Sequence, residues 1–145
     1  VDDDAFNIVA LSKQLETLGF KKIATAIDGE QAIEKVVSFS RKDTPCKCRK
    51  FEIIFMDCEM PIKNGWQTAK ELETLAAEGI IESQLIIGVT GHQSEEIKEK
   101  CLAFGMKDVI TKPINKEQIS NAIFEWSPTL KAYLSSPRKD KKSIA

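Results

Sequence analysis

Residues 51–56 have the sequence FEIIFM, a nearly continuous apolar run that ends directly before Asp57. A run of this kind predicts a strand that is covered on both faces, as in a parallel sheet between two layers of helices. A second run, LIIGV at residues 85–89, and a shorter one at Val109–Thr111 have the same character. These three runs predict the buried strands of one sheet.

Amphipathic helices are predicted between these strands. Apolar residues recur at helical spacing within residues 5–18 and again after four polar or small residues: Asp28, Gly65, Ser94 and Asn115. A further short strand is predicted at Ile23–Ile27. Because strand and helix alternate, the sequence predicts an α/β fold with an open parallel sheet and helices on both faces.

The start of the chain departs from this alternation. A strand should precede the first helix, but only its last residue, Val1, is present before the acidic run Asp2-Asp3-Asp4. The first strand is therefore predicted to be truncated. Either the sequence is a fragment or its start was misassigned.

Bulk composition fits a single domain. The chain has 145 residues, 42% of them hydrophobic, and a net charge of -1, which gives no reason to expect nucleic acid as a partner. No apolar run is long enough to span a bilayer, so we expect a soluble chain. We place the domain at residues 1–126 and predict that the basic residues 127–145 form a disordered tail.

The four cysteines do not predict a metal site. Cys46 and Cys48 lie in a predicted loop, while Cys58 and Cys101 have apolar neighbours. A zinc site would need four ligands with paired spacing, and His92 is the only histidine. Reduced thiols in a cytoplasmic protein are therefore expected.

Polar side chains follow the predicted strands at the points where the strands end. Asp2 and Asp3 follow the truncated strand, Asp57 follows FEIIFM, Thr90 follows LIIGV, and Lys112 follows the third run. The carboxyl ends of parallel strands lie at one edge of the sheet, and ligands bind there in open α/β sheets. We therefore expect these side chains to converge.

Such a cluster has a specific chemistry. Crowded carboxylates repel one another unless a cation offsets their charge. Oxygen ligands in a partly open shell suit Mg²⁺, which keeps several waters and binds phosphate oxygens. With the metal bound, Asp57 can act as an oxygen nucleophile toward a phosphoryl donor. Lys112, Thr90 and Mg²⁺ can stabilise the charge that develops on the phosphoryl oxygens.

Four segments, VDDD, FMDCEMPIKNG, GVTGH and GMKDVITKP, together resemble the receiver domain of two-component and phosphorelay systems. The resemblance extends over roughly residues 1–126. It implies a flavodoxin-like open sheet with strand order 2-1-3-4-5, whose first strand is truncated here.

The resemblance also implies a role for each site residue. Asp57 resembles the phosphorylated aspartate, and Asp3 resembles the carboxylate that binds Mg²⁺ directly. Asp2 resembles the carboxylate that acts mainly through water, and the backbone carbonyl of Glu59 would be the third protein ligand.

On the other side of the site, Thr90 resembles the switch hydroxyl and Lys112 the lysine that pairs with the phosphoryl group. A cis bond is implied between Lys112 and Pro113. One position departs from the family, because Val109 stands where a switch aromatic is common. His92 could either influence loss of the phosphoryl group or be an ordinary exposed loop residue.

A receiver is a signalling domain that catalyses only its own phosphorylation and dephosphorylation. The resemblance implies a histidine kinase or a histidine phosphotransfer protein as partner, and a response in the surface around residues 91–104 and in the final helix. Residues 99–114 are similar to receivers of hybrid histidine kinases. We expect such a kinase as parent, with the receiver at its C-terminus, cytoplasmic or tethered to a membrane-bound kinase. The sequence does not indicate an oligomeric state.

Two other functions stay open at this point. The chain could be a degenerate receiver that acts only as a protein-docking module. It could also be a haloacid-dehalogenase-like phosphatase, although that family needs a second aspartate where Glu59 stands.

Overall fold

The computed structural model describes residues 1–40 and 50–135. Over these ranges the secondary structure consists of α1 (Ala5–Thr17), α2 (Gly29–Ser40), β1 (Ile54–Asp57), α3 (Gly65–Ala77), β2 (Ile86–Thr90), α4 (Glu95–Ala103), β3 (Asp108–Thr111), α5 (Lys116–Trp126) and α6 (Pro128–Ser135). Within the described ranges, no helix is both long enough and apolar enough to cross a membrane.

The strands form one parallel sheet in the order β1-β2-β3. Ile54 lies opposite Ile86 in the first pair, and Ile87 lies opposite Asp108 in the second. All residues of β1 and β2 are buried, as expected for apolar strands between two helical layers. The predicted α/β fold with a parallel sheet is confirmed. The predicted burial is confirmed for β1 and β2 but is wrong for β3, whose residues are all half-buried.

Val1 takes the place of a further strand beside β1. Its amine donates a hydrogen bond to the Phe55 carbonyl (2.7 Å), and Asp57 N donates to the Val1 carbonyl (2.9 Å). On the other side, Asp2 N donates to the Ala26 carbonyl (3.1 Å). Val1 and Ala26 therefore lie where the first and second strands of the order 2-1-3-4-5 run, although neither position is assigned to a strand in the described residues.

The strand predicted at Ile23–Ile27 is wrong. These residues have no strand structure, although Ala26 accepts the hydrogen bond from Asp2. A strand needs a ladder of hydrogen bonds to a neighbour. Its neighbour here is only the short segment at the start of the chain, so the ladder does not form.

Apolar side chains pack on both faces of the sheet. One core contains Ile54, Met56 and Cys58 together with residues of α2, α3 and α4. The other contains Phe55, Ile87 and Val89 together with residues of α1, α5 and α6. Because successive strand residues point to opposite faces, each strand contributes to both cores and holds its carboxyl end rigidly between them.

The disorder predicted from residue 127 onward is wrong for residues 128–135, which form α6. Leu130 and Tyr133 are buried there. The Tyr133 hydroxyl donates to the Gly19 carbonyl (2.7 Å), and its ring stacks on Phe20 with centroids 5.2 Å apart. These two buried side chains lie one helical turn apart and give α6 an apolar face that packs on the domain. Residues 136–145, like Cys46 and Cys48, lie outside the described residues.

The helix starts follow the predicted polar residues. Asn115 caps α5 together with Gln118 in a capping box, and Asp28 Oδ1 accepts a hydrogen bond from Gln31 N (2.7 Å) at the start of α2. Ser94 is the N-cap residue of α4, as predicted, but its side chain makes no capping hydrogen bond.

Candidate functional site

Three carboxylates meet at the carboxyl edge of the sheet. One oxygen from each of Asp2, Asp3 and Asp57 lies within 4.8 Å of the others. Asp57 is the last residue of β1, and the hydrogen bond from Asp2 N to Ala26 holds Asp2 beside it. Asp2 and Asp57 are buried, whereas Asp3 is exposed. The predicted convergence of these acids is therefore present in the structure.

Lys112 connects two of these acids. It follows β3 directly, and its Nζ lies 3.1 Å from Asp2 Oδ2 and 3.4 Å from Asp57 Oδ2. Burial alone would lower the pKa of Lys112, but the hydrogen bond and charge of Asp2 and the charge of Asp57 outweigh it, so the pKa is raised. Lys112 therefore keeps its positive charge beside the carboxylates.

The pKa of Asp57 is shifted by its surroundings. Burial is the main cause that raises its pKa to about 6, and the charge of Asp2 acts in the same direction. The hydrogen bond from Glu59 N to Asp57 Oδ1 (3.2 Å) and the charge of Lys112 oppose this effect. Asp57 is therefore mostly ionised at neutral pH, and a bound cation would favour the ionised form further.

Thr90 is the last residue of β2, which lies between β1, ending at Asp57, and β3, which is followed by Lys112. Its side chain is buried, and Oγ1 accepts a hydrogen bond from His92 N (3.1 Å). Its carbonyl accepts a hydrogen bond from Lys112 N (2.7 Å), which ties the ends of β2 and β3 together. A hydroxyl that accepts one hydrogen bond retains its own proton and can donate it to a ligand.

Two contacts at this edge were not predicted from the sequence. His92 Nδ1 lies 3.2 Å from Glu59 Oε1, and both side chains are exposed above the acids. Cys58 Sγ lies 3.2 Å from Cys101 Sγ beneath them. Both pairs join segments that are distant in sequence. The only sequence signal was that Glu59 and Cys58 directly follow the strand that ends at Asp57.

The donor set fits a hard divalent cation. All three side chains offer carboxylate oxygens, which Mg²⁺ prefers, and one of them is open to solvent. Two buried acids next to a single ammonium group leave a net negative site, so a cation would reduce their repulsion. The bond between Lys112 and Pro113 is cis, as the resemblance implied.

The model of the response regulator receiver domain family matches residues 1–124. Because this match spans most of the chain, the chain belongs to the response regulator receiver family. It is a receiver domain of the kind that works in two-component and phosphorelay signalling. This assignment favours a signalling domain over the haloacid-dehalogenase-like phosphatase.

The similar proteins are much longer than this chain. Two-component system protein A of Emericella nidulans is 28% identical over 129 residues, which cover 89% of this chain and 17% of that protein. Hybrid signal transduction histidine kinase L of Dictyostelium discoideum is 30% identical over 126 residues, which cover 87% of this chain and 7% of that protein. The chain thus spans less than a fifth of either relative.

A solved structure gives the same fold. The receiver domain of the histidine kinase CKI1 from Arabidopsis thaliana, complexed with Mg²⁺, superposes with a TM-score of 0.76 at 25% identity. The superposition covers 86% of this chain and 86% of that domain. The predicted flavodoxin-like receiver fold is confirmed.

Proposed function

We propose that this domain accepts a phosphoryl group on Asp57 in a Mg²⁺-dependent reaction and thereby passes on a signal. The observation that carries the proposal is the approach of Asp2, Asp3 and Asp57 to within 4.8 Å, with Lys112 in contact with two of them. The receiver family assignment and the Mg²⁺ bound by the related CKI1 receiver support it.

Asp3 is suited to bind the metal directly. It is exposed, and among the described residues no hydrogen bond or ion pair occupies its carboxylate. Asp2 is suited to act through water, because its Oδ1 accepts from Asp4 N (2.9 Å) and its Oδ2 contacts Lys112. We assign the backbone carbonyl of Glu59 as the third protein ligand. Mg²⁺ would neutralise the acids and offset charge on the phosphoryl oxygens.

The chain's own groups carry out the transfer. A carboxylate oxygen of Asp57 forms the new bond to phosphorus as the phosphorus–nitrogen bond of a phosphohistidine breaks, and the electron pair of that bond stays on the histidine nitrogen. The donor is a histidine kinase or a histidine phosphotransfer protein. Lys112 Nζ and the Thr90 hydroxyl donate to the phosphoryl oxygens. The domain catalyses only this reaction and the later hydrolysis of its own acyl phosphate.

The same contacts supply a switch. A phosphoryl group on Asp57 adds negative charge and acceptor oxygens beside Thr90 and Lys112. When the Thr90 hydroxyl turns to donate to this group, its Oγ1 moves relative to His92 N, which it holds at 3.1 Å. Residues 91–94 and α4 then rearrange and change the surface offered to a partner. We propose that the whole protein is a hybrid histidine kinase that works in the cytoplasm.

Phosphoramidate, a small-molecule phosphohistidine mimic, tests the proposal. In the presence of Mg²⁺ we expect intact-mass spectrometry to show one phosphoryl group per chain, which should not form when EDTA is present from the start or in Asp57→Asn. Asp108→Asn, at the opposite end of the sheet, is the matched control and should be phosphorylated normally. Failure of the folded wild type to gain a phosphoryl group, or equal labelling of Asp57→Asn, would overturn the proposal.

A further inference from the structure

Two thiols lie in contact beneath the acidic site. Cys58 follows β1 and Cys101 lies in α4, and their Sγ atoms are 3.2 Å apart although 43 positions separate them in the sequence. Both side chains are fully buried. Phosphoryl transfer to Asp57 uses neither of them.

Close packing keeps this pair together. A Cβ atom on Gly88 of β2 would lie 3.0 Å from Cys58 Sγ and 2.7 Å from Met106 Sδ, so any side chain at this position would crowd Cys58. The surrounding side chains belong to the core of α2, α3 and α4. In such a tightly packed region the two sulfur atoms have little freedom to separate.

We propose that Cys58 and Cys101 are a redox site, which forms a reversible disulfide on exposure to hydrogen peroxide and ties α4 to the end of β1. A disulfide bond is about 2 Å long, so the two sulfur atoms need to approach by only about 1 Å.

The order of the two steps follows from the hydrogen bond between the thiols. The Cys58 thiol lowers the pKa of Cys101, and Lys100 acts in the same direction against the opposing effect of burial. Cys101 therefore attacks the peroxide: a sulfur–oxygen bond forms, the oxygen–oxygen bond breaks, and hydroxide leaves. Cys58 then attacks the sulfenic sulfur, the sulfur–sulfur bond forms, and a second hydroxide leaves. The two thiol protons convert both hydroxides into water.

Local opening of α4 gives the peroxide access. Cys101 is the only buried residue of this helix, and its N-cap residue, Ser94, makes no side-chain hydrogen bond. By contrast, α3 and α5 each bury several residues and begin with a capping box. Helices with few buried contacts open at the lowest free energy, so α4 can expose the thiols without global unfolding.

The test uses the full chain with Cys46→Ser and Cys48→Ser, which leaves Cys58 and Cys101 as the only thiols. After treatment with hydrogen peroxide we expect both thiols to be lost, the intact mass to fall by two hydrogen atoms, and peptide mapping to find Cys58 linked to Cys101. Dithiothreitol should restore both thiols. Oxidation should slow amide hydrogen exchange in residues 95–103 and raise the melting temperature, on the order of 5–10 °C.

Cys101→Ala in the same background is the control, with circular dichroism to verify its fold. Peroxide should change neither its melting temperature nor its exchange pattern. The proposal is wrong if the thiols of the parent protein resist peroxide, or if they become separate sulfinic acids without a linked peptide. If the disulfide forms but amide hydrogen exchange in α4 does not change, the disulfide does not tie α4 to β1. None of these outcomes depends on phosphorylation of Asp57.

Discussion

The ammonium group of Lys112 offsets part of the negative charge of two acids. It contacts both Asp2 and Asp57, which are buried, while its own side chain is partly shielded from solvent. Partly buried ion pairs are screened less than surface pairs, so removal of one partner leaves the other charges uncompensated. The effect of a substitution here should therefore appear in the chemistry of Asp57.

We expect Lys112→Ala to slow phosphorylation by phosphoramidate about 100-fold, because a donor to the developing negative charge is lost. The rate would be measured by intact-mass spectrometry at fixed Mg²⁺. Lys107→Ala removes an exposed lysine just before the other end of β3 and should leave the rate unchanged. A rate for Lys112→Ala close to that of the wild type would contradict the assigned role.

Gly65 determines how closely α3 approaches the end of β1. A Cβ atom at this position would lie 2.1 Å from the Asp57 carbonyl oxygen and 2.9 Å from Cys58 Cα. Since both contacts are with backbone atoms, no side-chain rotation can relieve them. Gly65→Ala should lower the free energy of unfolding by about 3 kcal/mol, measured by urea denaturation. A Cβ atom at Gly91 would have no atom within 4 Å, so Gly91→Ala should hardly change the free energy of unfolding.

The helices differ in how firmly their first turns are fixed. Asn115 accepts a hydrogen bond from Gln118 N (2.8 Å) at the start of α5, whereas Ser94 makes no such bond to α4. Asn115→Ala should therefore lower the free energy of unfolding by about 1 kcal/mol. Ser94→Ala should change it by no more than a few tenths. Equal losses in urea denaturation would show that the two caps are equivalent after all.

Helix α6 stabilises the domain through its buried face. Leu130 is 5% exposed and packs with residues of α1 and α5, whereas Leu102 on α4 is 42% exposed. We expect Leu130→Ala to lower the free energy of unfolding by about 2–3 kcal/mol. Leu102→Ala, the same substitution at an exposed site, should cost less than about 1 kcal/mol. If Leu130→Ala were as mild as Leu102→Ala, α6 would not belong to the folded unit.

For the whole molecule, metal binding and folding should be linked. Because Asp2, Asp3 and Asp57 come together only in the folded chain, we expect Mg²⁺ to bind the native state in preference to the unfolded state. At a Mg²⁺ concentration 100 times the Kd, the free energy of unfolding should rise by about 2.7 kcal/mol. Urea denaturation with Mg²⁺ and with EDTA measures the difference.

Asp3→Asn is the control for the effect of Mg²⁺ on stability, since it removes a proposed Mg²⁺ ligand that is exposed and disturbs no described contact. Its unfolding midpoint should respond less to Mg²⁺ than that of the wild type. A wild-type midpoint that is the same in Mg²⁺ and in EDTA would contradict the proposed metal centre.

Sequence reasoning predicted those features that depend on local pattern. The runs around Ile54, Ile86 and Val109 are strands because their own apolar composition requires cover on both faces. The convergence of Asp2, Asp3, Asp57, Thr90 and Lys112 follows from parallel strands alone. The three acids lie within 4.8 Å of one another and Lys112 contacts Asp2 and Asp57, so the part of the site that depends on topology was predictable.

Features that depend on tertiary partners were not predictable. The segment at Ile23–Ile27 has strand composition but lacks a long neighbour. Helix α6 folds because residues of α1 and α5 cover Leu130 and because Gly19 and Phe20 contact Tyr133. The contact of Cys58 with Cys101 depends on how α4 packs against the sheet, which no local pattern specifies. In each case long-range packing decides the outcome.

Asp57 and Cys58 are consecutive residues whose side chains leave the backbone on opposite sides. One faces the acidic edge of the sheet, and the other touches α4. Since these two residues share one peptide unit, we expect cation binding at Asp57 and the position of α4 to be coupled, and thermodynamic reciprocity then requires each to alter the other by the same free energy. A small apolar compound that binds under α4 would then change the affinity for the cation without contacting Asp2, Asp3 or Asp57.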